Sequence, residues 1–383
     1  MKTFKKLSTV VATLLMTTAF VACDKDGDKP SSGDLFEGTT LKGEIAETTS
    51  LEAKTYILSG PLEIKKGGSL TIPAGTTIKA KQGYYSYIHV EQGGKIFVNG
   101  TAQAPVRMMP EEESGGQGYW GGLVISGYAP ITNGGTNKIE IDNTKVYGGT
   151  DATDNSGSIT YLVLDGTGAK SSADVEHNGL TLNGVGNGTK IENIFVINGA
   201  DDAIEFFGGT VNVTNLLAVD TDDDLFDFTE GYSGILRNAY GIWTKNYVSS
   251  EKDPRGIEAD GNHDGNSPTG TPQSNFKVDG ITIDLQVIPS DTEGYYMHDV
   301  FKIRRGATAT ITNALIKGQG QVKDVIDLTD SKGEGNVDTK ITYTLGLSTP
   351  ILGKEVNGTL NVSKVDGLKG ADKSVFDWTG YKF

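Results

Sequence analysis

The chain has 383 residues, of which 52 are glycine, and an ordinary apolar share of 36%. This composition argues against a disordered chain and against a compact helical protein. The formal net charge is −15, and a surface this acidic repels phosphate backbones and anionic headgroups, which argues against nucleic acid as a partner and favours cations or uncharged sugars.

Residues 1–22 have the features of an export signal. A basic start, MKTFKK, precedes an apolar run, LSTVVATLLMTTAFVA, that is short for a membrane span. The letters FVAC that end this run are similar to a bacterial lipobox, and Cys23 is the only cysteine. We therefore expect residues 1–22 to be removed and Cys23 to carry lipid. The alternative is a secreted protein with a spare cysteine near its cleavage site.

The segment after Cys23, DKDGDKPSSGD, is acidic, rich in small residues and contains proline. Such a composition is typical of a flexible tether. We expect residues 23–35 to link the lipid to one folded domain, residues 36–383, so that the lipid is the only membrane contact.

An internal repeat predicts the fold. Residues 191–209 and 213–231 align without a gap, as IENIFVINGADDAIEFFGG and VTNLLAVDTDDDLFDFTEG. Self-similarity at this period is typical of a solenoid, whereas a β-propeller needs about 40 residues per blade. The first half of the unit recurs from Ile159, Ile191, Val213, Leu236, Val278, Ile311 and Ile341. The second half is a three-residue stretch in which a polar residue stands between two apolar ones. It recurs from Leu180, Ile204, Phe226, Ile257, Phe301 and Ile326. Short strands stacked in parallel predict an all-β protein, a parallel β-helix of about a dozen coils.

One position of the repeat is asparagine in several copies, at Asn193, Asn215, Asn238 and Asn313. Asparagine accepts left-handed backbone angles, and stacked side-chain amides can hydrogen-bond along a column. We predict a structural asparagine ladder at the turn between two strands.

Several segments resemble a family of right-handed parallel β-helix surface lipoproteins of gut Bacteroidetes. They are SLTIPAGTTIKA and GYWGGLVISGYAPI in the opening coils, GADDAIEFFGG and DDDLFDFTEGYSG in the centre, and VFDWTGY at the end. The resemblance covers most of residues 50–383, and the acidic segment after Cys23 is similar to that of surface-exported lipoproteins of these bacteria. It implies a pectate-lyase-like fold and a lipid-anchored location on the outer membrane, exposed at the cell surface. Some members are regarded as surface-layer-like, and a shared fold does not transfer a reaction.

Side-chain parity predicts a charged column. If Ile204 and Phe206 are buried, Glu205 points outward. The same parity places four more residues in the outward column, Asp227, Glu258, Lys302 and Asp327. Coils stack about 4.8 Å apart, where two carboxylates repel by about 1 kcal/mol in water and about 3.5 kcal/mol at an effective dielectric of 20. We expect exposure to solvent to make this repulsion tolerable.

The aspartate runs that precede these strands have three interpretations. Turn chemistry is favoured, because aspartate bonds to backbone amides two residues further on. A calcium site built from oxygens of successive coils is the second, with the ligands Asp202, Glu205, Asp224 and Asp227. Acid–base catalysis by the aspartate pairs is the third.

Two insertions interrupt the regular spacing, between Asn238 and Ile257 and between Gly280 and Phe301. Extra residues of this kind loop out of a solenoid. Aromatic residues on such loops can stack on sugar rings while the charged column binds hydroxyl groups. The glycan-binding residues predicted on this basis are Trp243, Tyr247, Glu258, Tyr295, Tyr296 and Lys302. The alternative is that these aromatic side chains pack the loops onto the solenoid.

The predicted role is non-catalytic, either glycan binding or self-assembly into a surface coat. The alternative is a polysaccharide-active enzyme, either a calcium-dependent lyase that uses Lys302, Arg304 and Glu258, or a glycoside hydrolase that uses paired acids. The residues indicate no certain cofactor besides the candidate calcium ion. The closing letters FDWTGYKF predict a cap over the open end of the solenoid, with Phe376 and Trp378 on the last core layer.

Overall fold

The computed structural model of the chain describes residues 38–172, 175–359 and 361–383. The predicted signal peptide, the lipidation site Cys23 and the tether up to residue 35 lie outside the described residues.

Twenty-six strands follow one another along the described chain. The first nine are β1 (Thr40–Ile45), β2 (Thr48–Ser50), β3 (Thr55–Ile64), β4 (Ser69–Pro73), β5 (Thr77–Ala80), β6 (Ile88–Val90), β7 (Lys95–Asn99), β8 (Val106–Pro110) and β9 (Leu123–Ser126). The next nine are β10 (Asn137–Ile139), β11 (Asp142–Tyr147), β12 (Gly157–Asp165), β13 (Leu180–Asn183), β14 (Lys190–Ile197), β15 (Ile204–Phe207), β16 (Asn212–Val219), β17 (Asp224–Thr229) and β18 (Ile235–Trp243). The last eight are β19 (Arg255–Asp260), β20 (Asn275–Leu285), β21 (Met297–Arg304), β22 (Thr308–Gly318), β23 (Val322–Asp327), β24 (Lys340–Leu347), β25 (Val356–Asn357) and β26 (Asn361–Lys364). Two short 3₁₀ helices, His263–Gly265 and Lys373–Thr379, are the helical elements of the described residues.

All strands except β10 and β11 belong to one 24-stranded sheet. Within it β12, β14, β16, β18, β20, β22, β24 and β26 pair in parallel, each with the next. The seven repeat starts from Ile159 to Ile341 lie in one unbroken register across these strands. The predicted parallel β-helix is therefore confirmed, and so is the alignment of its repeats.

The core is the interior of the coils. Strand residues that point inward are apolar and fully buried, and large side chains stack from coil to coil. The rings of Phe206 and Phe228 lie 5.0 Å apart, and those of Phe228 and Phe276 lie 4.1 Å apart. Because each coil buries its apolar residues against its neighbours, the stack is stable only as a whole.

The asparagine ladder is present as predicted. Asn193, Asn215, Asn238 and Asn313 all have left-handed backbone angles, with φ between 51° and 60°. The amide of Asn215 donates to Asn193 at 2.9 Å, and that of Asn238 donates to Asn215 at 3.0 Å. The ladder serves the turns and holds adjacent coils together.

The predicted end cap is wrong. The C-terminal segment (residues 365–383) turns back along the flank of the solenoid, and its Phe376 is buried in a separate apolar cluster. The solenoid residues of this cluster come from coils far from the last one and include Val163, Phe195, Leu217, Val219, Tyr240 and Ile242. These strands carry apolar residues on the outer face as well as the inner one. An apolar outer face needs a cover, and the C-terminal segment supplies it.

Candidate functional site

The outward column exists with the predicted neighbours. Successive coils place five residues next to one another in the column, in the order Glu205, Asp227, Glu258, Lys302 and Asp327. Each pair joins strands of adjacent coils. The column continues toward the N-terminus through Thr181, Val124, His89, Glu63 and Glu44.

The column is covered, contrary to the expectation of an exposed charged stripe. Strands β10 and β11 form an antiparallel hairpin that projects from the solenoid. Asn137 of the hairpin donates to Glu230 at 2.7 Å, and the hydroxyl of Tyr147 donates to the same carboxylate. Glu140 of the hairpin accepts the backbone N–H of Glu176 at 2.9 Å. These contacts hold the hairpin over the column, so several column residues are buried or half-buried.

A cleft of about 570 Å³ lies between this cover and the column. Twelve of its lining residues are acidic, namely Glu140, Glu176, Asp201, Asp202, Glu205, Asp223, Asp224, Asp227, Asp253, Glu258, Asp260 and Asp264. Three are basic, namely Lys138, Arg255 and Arg304. The cleft therefore concentrates negative charge in a place that water reaches only in part, where charges interact more strongly than on an open surface.

The two arginines neutralise the C-terminal wall of this cleft. Arg255 and Arg304 both donate to the carboxylate of Glu258. Arg304 also donates to Asp260 at 2.8 Å, and Arg255 donates to Asp253 at 2.5 Å. Both oxygens of Glu258 are thus paired with arginine, so its charge is neutralised within the protein, which argues against the predicted roles as a glycan ligand or a catalytic group.

In the part of the chain that the structure describes, the N-terminal wall has no arginine partner of this kind, and Glu205 accepts the side-chain amide of Asn178 at 2.6 Å. Oxygens of Asp202, Glu205 and Asp227 lie within 4.8 Å of one another, and so do oxygens of Asp201, Asp202 and Asp223. The two groups share Asp202. One carboxylate oxygen on each of Asp223 and Asp227 is buried and has no hydrogen-bond partner.

Asp224 belongs to neither group, although it lines the same cleft. Asp224 is only 2% exposed, its Oδ2 lies 4.0 Å from Nη1 of Arg255, and its Oδ1 has no hydrogen-bond partner. A buried polar atom without a partner is costly and calls for an explanation such as an ion. The four predicted metal ligands therefore lie together, and three of them meet closely enough to share one ion.

The proton affinities of these groups reflect their crowding. Burial, followed by repulsion from neighbouring carboxylates, raises the pKa of Asp202, Glu205 and Asp224 well above the usual range. Burial raises the pKa of Asp223 and of Asp227 to about 7. Such groups either hold protons or share a cation. Because all the donors are oxygens, the cation that fits is a hard one such as calcium.

One member of the aspartate runs, Asp222, holds a loop that is distant in sequence. Asp222 accepts the hydroxyl of Tyr247 at 3.0 Å and the backbone N–H of Ser250 at 2.8 Å. Its carboxylate organises the loop that follows β18 and does not line the cleft. The favoured interpretation, a bond to a backbone amide two residues further on, therefore does not describe Asp222, whose backbone partner is 28 residues away.

Lys302 lies outside the cleft. Its ammonium donates to Asp327 and lies 3.9 Å from Asp299, and the side chain is buried. A catalytic base needs to reach a proton of the substrate. The predicted role of Lys302 as a lyase base or a glycan ligand therefore has no geometric support, while Arg304 lines the cleft only within its ion pairs.

The predicted aromatic ligands divide into two groups. Trp243 is 0% exposed and ends strand β18 with its ring 5.0 Å from that of Tyr247, which is also buried. These two rings pack the loop onto the core. The prediction that Trp243 and Tyr247 contact glycan is therefore wrong. Tyr295 is 40% exposed and Tyr296 is half-buried, but neither lines the acidic cleft.

Sequence reasoning missed an exposed aromatic residue close to the cleft. Tyr85 is 70% exposed and its ring meets that of Tyr84 edge to face at 5.2 Å. Tyr84 is anchored through its hydroxyl to the carbonyl of Ile141 at 2.7 Å, next to the cleft residue Glu140. The aromatic run GYYSY could have indicated this site. Its contact with the hairpin was not predictable, because Tyr84 and Ile141 are far apart in sequence.

None of the helices in the described ranges combines the length and the apolarity needed to cross a membrane. Comparison with curated proteins gives no match, and comparison with solved structures gives none. A family model described as a pectate-lyase like beta helix domain matches residues 43–378, most of the chain. Its extent coincides with the coils described above, and the chain therefore belongs to the pectate-lyase-like β-helix domain family.

Proposed function

We propose that this chain is a lipid-anchored protein of the outer-membrane surface that binds glycan in the acidic cleft together with calcium, without turning the glycan over. The observation that carries the proposal is the group of oxygens from Asp202, Glu205 and Asp227 within 4.8 Å of one another. The proposed anchor is Cys23, which precedes the tether and the solenoid in the sequence.

The donor set supports a calcium ion that also contacts a ligand. Calcium takes six to eight oxygen ligands, and the closest group supplies carboxylates from three side chains. Hydroxyl or carboxylate oxygens of a sugar would complete the shell. The cleft volume of about 570 Å³ lies within the usual range for ligand sites.

The charge of the cleft makes the two ligands interdependent. The acidic wall repels an anionic sugar while the ion is absent, and the ion reverses this locally. We therefore expect glycan binding to require calcium, and acidic glycans to gain most from it.

The test is calorimetry on the purified full-length protein after chelation. Calcium is expected to bind, and Asp227→Asn or Glu205→Gln is expected to weaken it by about tenfold or more. Asp366→Asn is the matched control, because Asp366 is an exposed acid outside the cleft. A glycan array probed with and without calcium then tests the ligand. Equal calcium affinity in all variants would contradict the metal site, and glycan signal that ignores calcium would contradict the coupling.

A second candidate function is acid–base hydrolysis of a glycan. It is favoured by one observation, the pKa values of about 7 for Asp223 and Asp227, which suit a general acid at neutral pH. Incubation with a polysaccharide panel separates the two functions. New reducing ends that disappear in Asp223→Asn would establish hydrolysis, and unsaturated products would establish a lyase.

The coat-forming role is tested on the same preparation. Ordered arrays seen by electron microscopy, without any glycan signal, would favour self-assembly over glycan binding.

A further inference from the structure

A second group of candidate ligands lies on the column, N-terminal to the acidic cleft. Glu63 and His89 are paired neighbours on adjacent coils, and Glu91 follows His89 by two residues on the same outward side. One ligand atom from each of the three residues lies within 4.8 Å of the other two. None of the three lines the acidic cleft.

His89 is the unusual member of this group. His89 is 1% exposed and lies in the column between Val124 and the charged Glu63. The Nε2 atom lies 3.0 Å from the hydroxyl of Ser126, while the buried Nδ1 atom has no hydrogen-bond partner. A buried ring nitrogen without a partner is costly. A metal ion on Nδ1 would remove this cost, and the hydroxyl of Ser126 would then orient the ring from its other nitrogen.

We propose that Glu63, His89 and Glu91 form a binding site for zinc or another divalent first-row transition metal. One imidazole with two carboxylates is a donor set that such metals accept, with a fourth position open to water. Calcium and magnesium prefer all-oxygen sites, so this site and the acidic cleft are expected to select different ions.

Two ammonium groups neutralise the carboxylates in the metal-free protein. Lys145 lies 2.5 Å from an oxygen of Glu63 and 2.5 Å from an oxygen of Glu91, and Lys65 lies 2.6 Å from Glu91. A divalent ion would replace the ammonium of Lys145 at both carboxylates. Metal affinity is therefore set by a competition with Lys145.

The competing residue is on the cleft cover, which gives the metal site a consequence. Lys145 belongs to strand β11, and Tyr147 two residues later holds the hairpin to Glu230. Replacement of Lys145 by a metal ion would release one of the attachments of the hairpin and leave those of Asn137 and Tyr147 to Glu230. An open pocket of about 430 Å³ beside Glu91, Gln92 and Lys145 gives an ion access to the site.

The test is zinc titration of the purified full-length protein by calorimetry, with calcium present in excess to saturate the acidic cleft. His89→Gln is expected to weaken zinc binding by about tenfold or more. Lys145→Met removes the competing ammonium and is expected to strengthen zinc binding by about tenfold. Asp366→Asn is the matched control, because Asp366 is an exposed acid outside both sites, and it is expected to leave zinc binding unchanged.

Two outcomes would overturn the inference. One is the absence of zinc binding in both the wild type and Lys145→Met. The other is zinc binding that His89→Gln and Lys145→Met leave unchanged. If His89→Gln fails to fold, Lys145→Met decides alone, because only a site that uses Glu63 and Glu91 gains from loss of that ammonium. Failure of calcium to bind the acidic cleft would leave this result untouched, so the two sites are tested separately.

Discussion

The backbone N–H of Asp224 donates to Oδ1 of Asp202 at 2.9 Å, so the acidic turns of two adjacent coils are joined directly. The bond uses one lone pair of Asp202 and positions the carboxyl group of Asp224 in the cleft with its Oδ1 unpartnered. The two turns together therefore form a fixed set of oxygens that repel one another. Most of the properties expected of this protein follow from how that repulsion is relieved.

Calcium is expected to raise the thermal stability of the chelated protein. A ligand that binds only the folded state adds about 2.7 kcal/mol at a concentration one hundred times its Kd, which corresponds to a few degrees for a chain of this length. The increase should be much smaller in Asp227→Asn and intact in Asp366→Asn. The measurement is a melting curve with and without calcium. An identical increase in the two variants would assign the ion to another place.

Without divalent cations, the cleft is expected to make the protein less stable as the pH rises from about 5 to 7.5. Burial raises the pKa of Asp223 and of Asp227 from 3.8 to about 7, so the folded state holds more protons than the unfolded state in this window. Stability from such groups is complete below their unfolded pKa and is lost as the pH rises through the folded pKa.

Urea denaturation at several pH values checks this expectation. Buried His177, whose pKa is lowered to about 3 by burial, acts in the opposite direction, so the variant and the wild type must be compared. The pH dependence should be weaker in Asp227→Asn than in the wild type. A steeper dependence in Asp227→Asn would contradict the assignment of its carboxyl group.

Asn215→Ala is expected to destabilise the solenoid by about 2–4 kcal/mol. The substitution removes both ladder hydrogen bonds of Asn215 and forces alanine into a left-handed conformation. Asn215→Gly loses the same bonds but tolerates φ 60°, so it should be less destabilising by about 1 kcal/mol. Urea midpoints give the comparison. Equal effects of the two substitutions would show that the backbone angle has no energetic role.

Phe376→Ala is expected to cost about 3–5 kcal/mol, because its buried ring fills the cluster between the C-terminal segment and the flank. Phe383→Ala is the control, since Phe383 is partly exposed and should cost less than about 1 kcal/mol. Limited proteolysis of the C-terminal segment should follow the same order. A stable Phe376→Ala variant with an intact segment would contradict the fold-back.

Trp243→Ala is expected to destabilise the protein by about 3–5 kcal/mol, as for a large core residue. Tyr295→Ala, at an exposed ring, should change stability by less than about 0.5 kcal/mol. Any loss of glycan signal in Trp243→Ala is therefore to be compared with its fraction of folded protein, measured by circular dichroism. A fully folded variant that lost glycan binding would restore Trp243 as a contact.

The sequence was sufficient for the coils and for the order of the column, because a constant offset between repeats fixes which residues become neighbours. Glu205 and Asp227 are 22 residues apart in two aligned copies, so they become neighbours. The alternation of inward and outward side chains along each strand then places both on the outside. The covering hairpin could not be predicted in this way, since Asn137 and Glu230 are 93 residues apart and share no repeat position. Burial of the column, and with it the raised pKa values, depends on that contact.

Trp243 was misplaced for a local reason. It was expected on the insertion that loops out between Asn238 and Ile257, whereas β18 continues to Trp243 with the parity that points Ala239 and Trp243 inward. The return of the C-terminal segment was missed because the repeat pattern alone does not show that Phe195 and Leu217 face outward, where they pack with Phe376.

The fold-back also affects how the molecule comes apart. A stack of coils has contacts only between nearest neighbours, and such arrays can fray from either end. Here the C-terminal segment forms hydrogen bonds with Asn238, Thr282, Asn313 and Thr344. It therefore bridges coils that are more than 100 residues apart. The last coils can therefore unfold only after the C-terminal segment has dissociated from the middle of the solenoid. The C-terminal segment follows all the coils in sequence, so the middle coils gain this fastening only after the last coils have been synthesised.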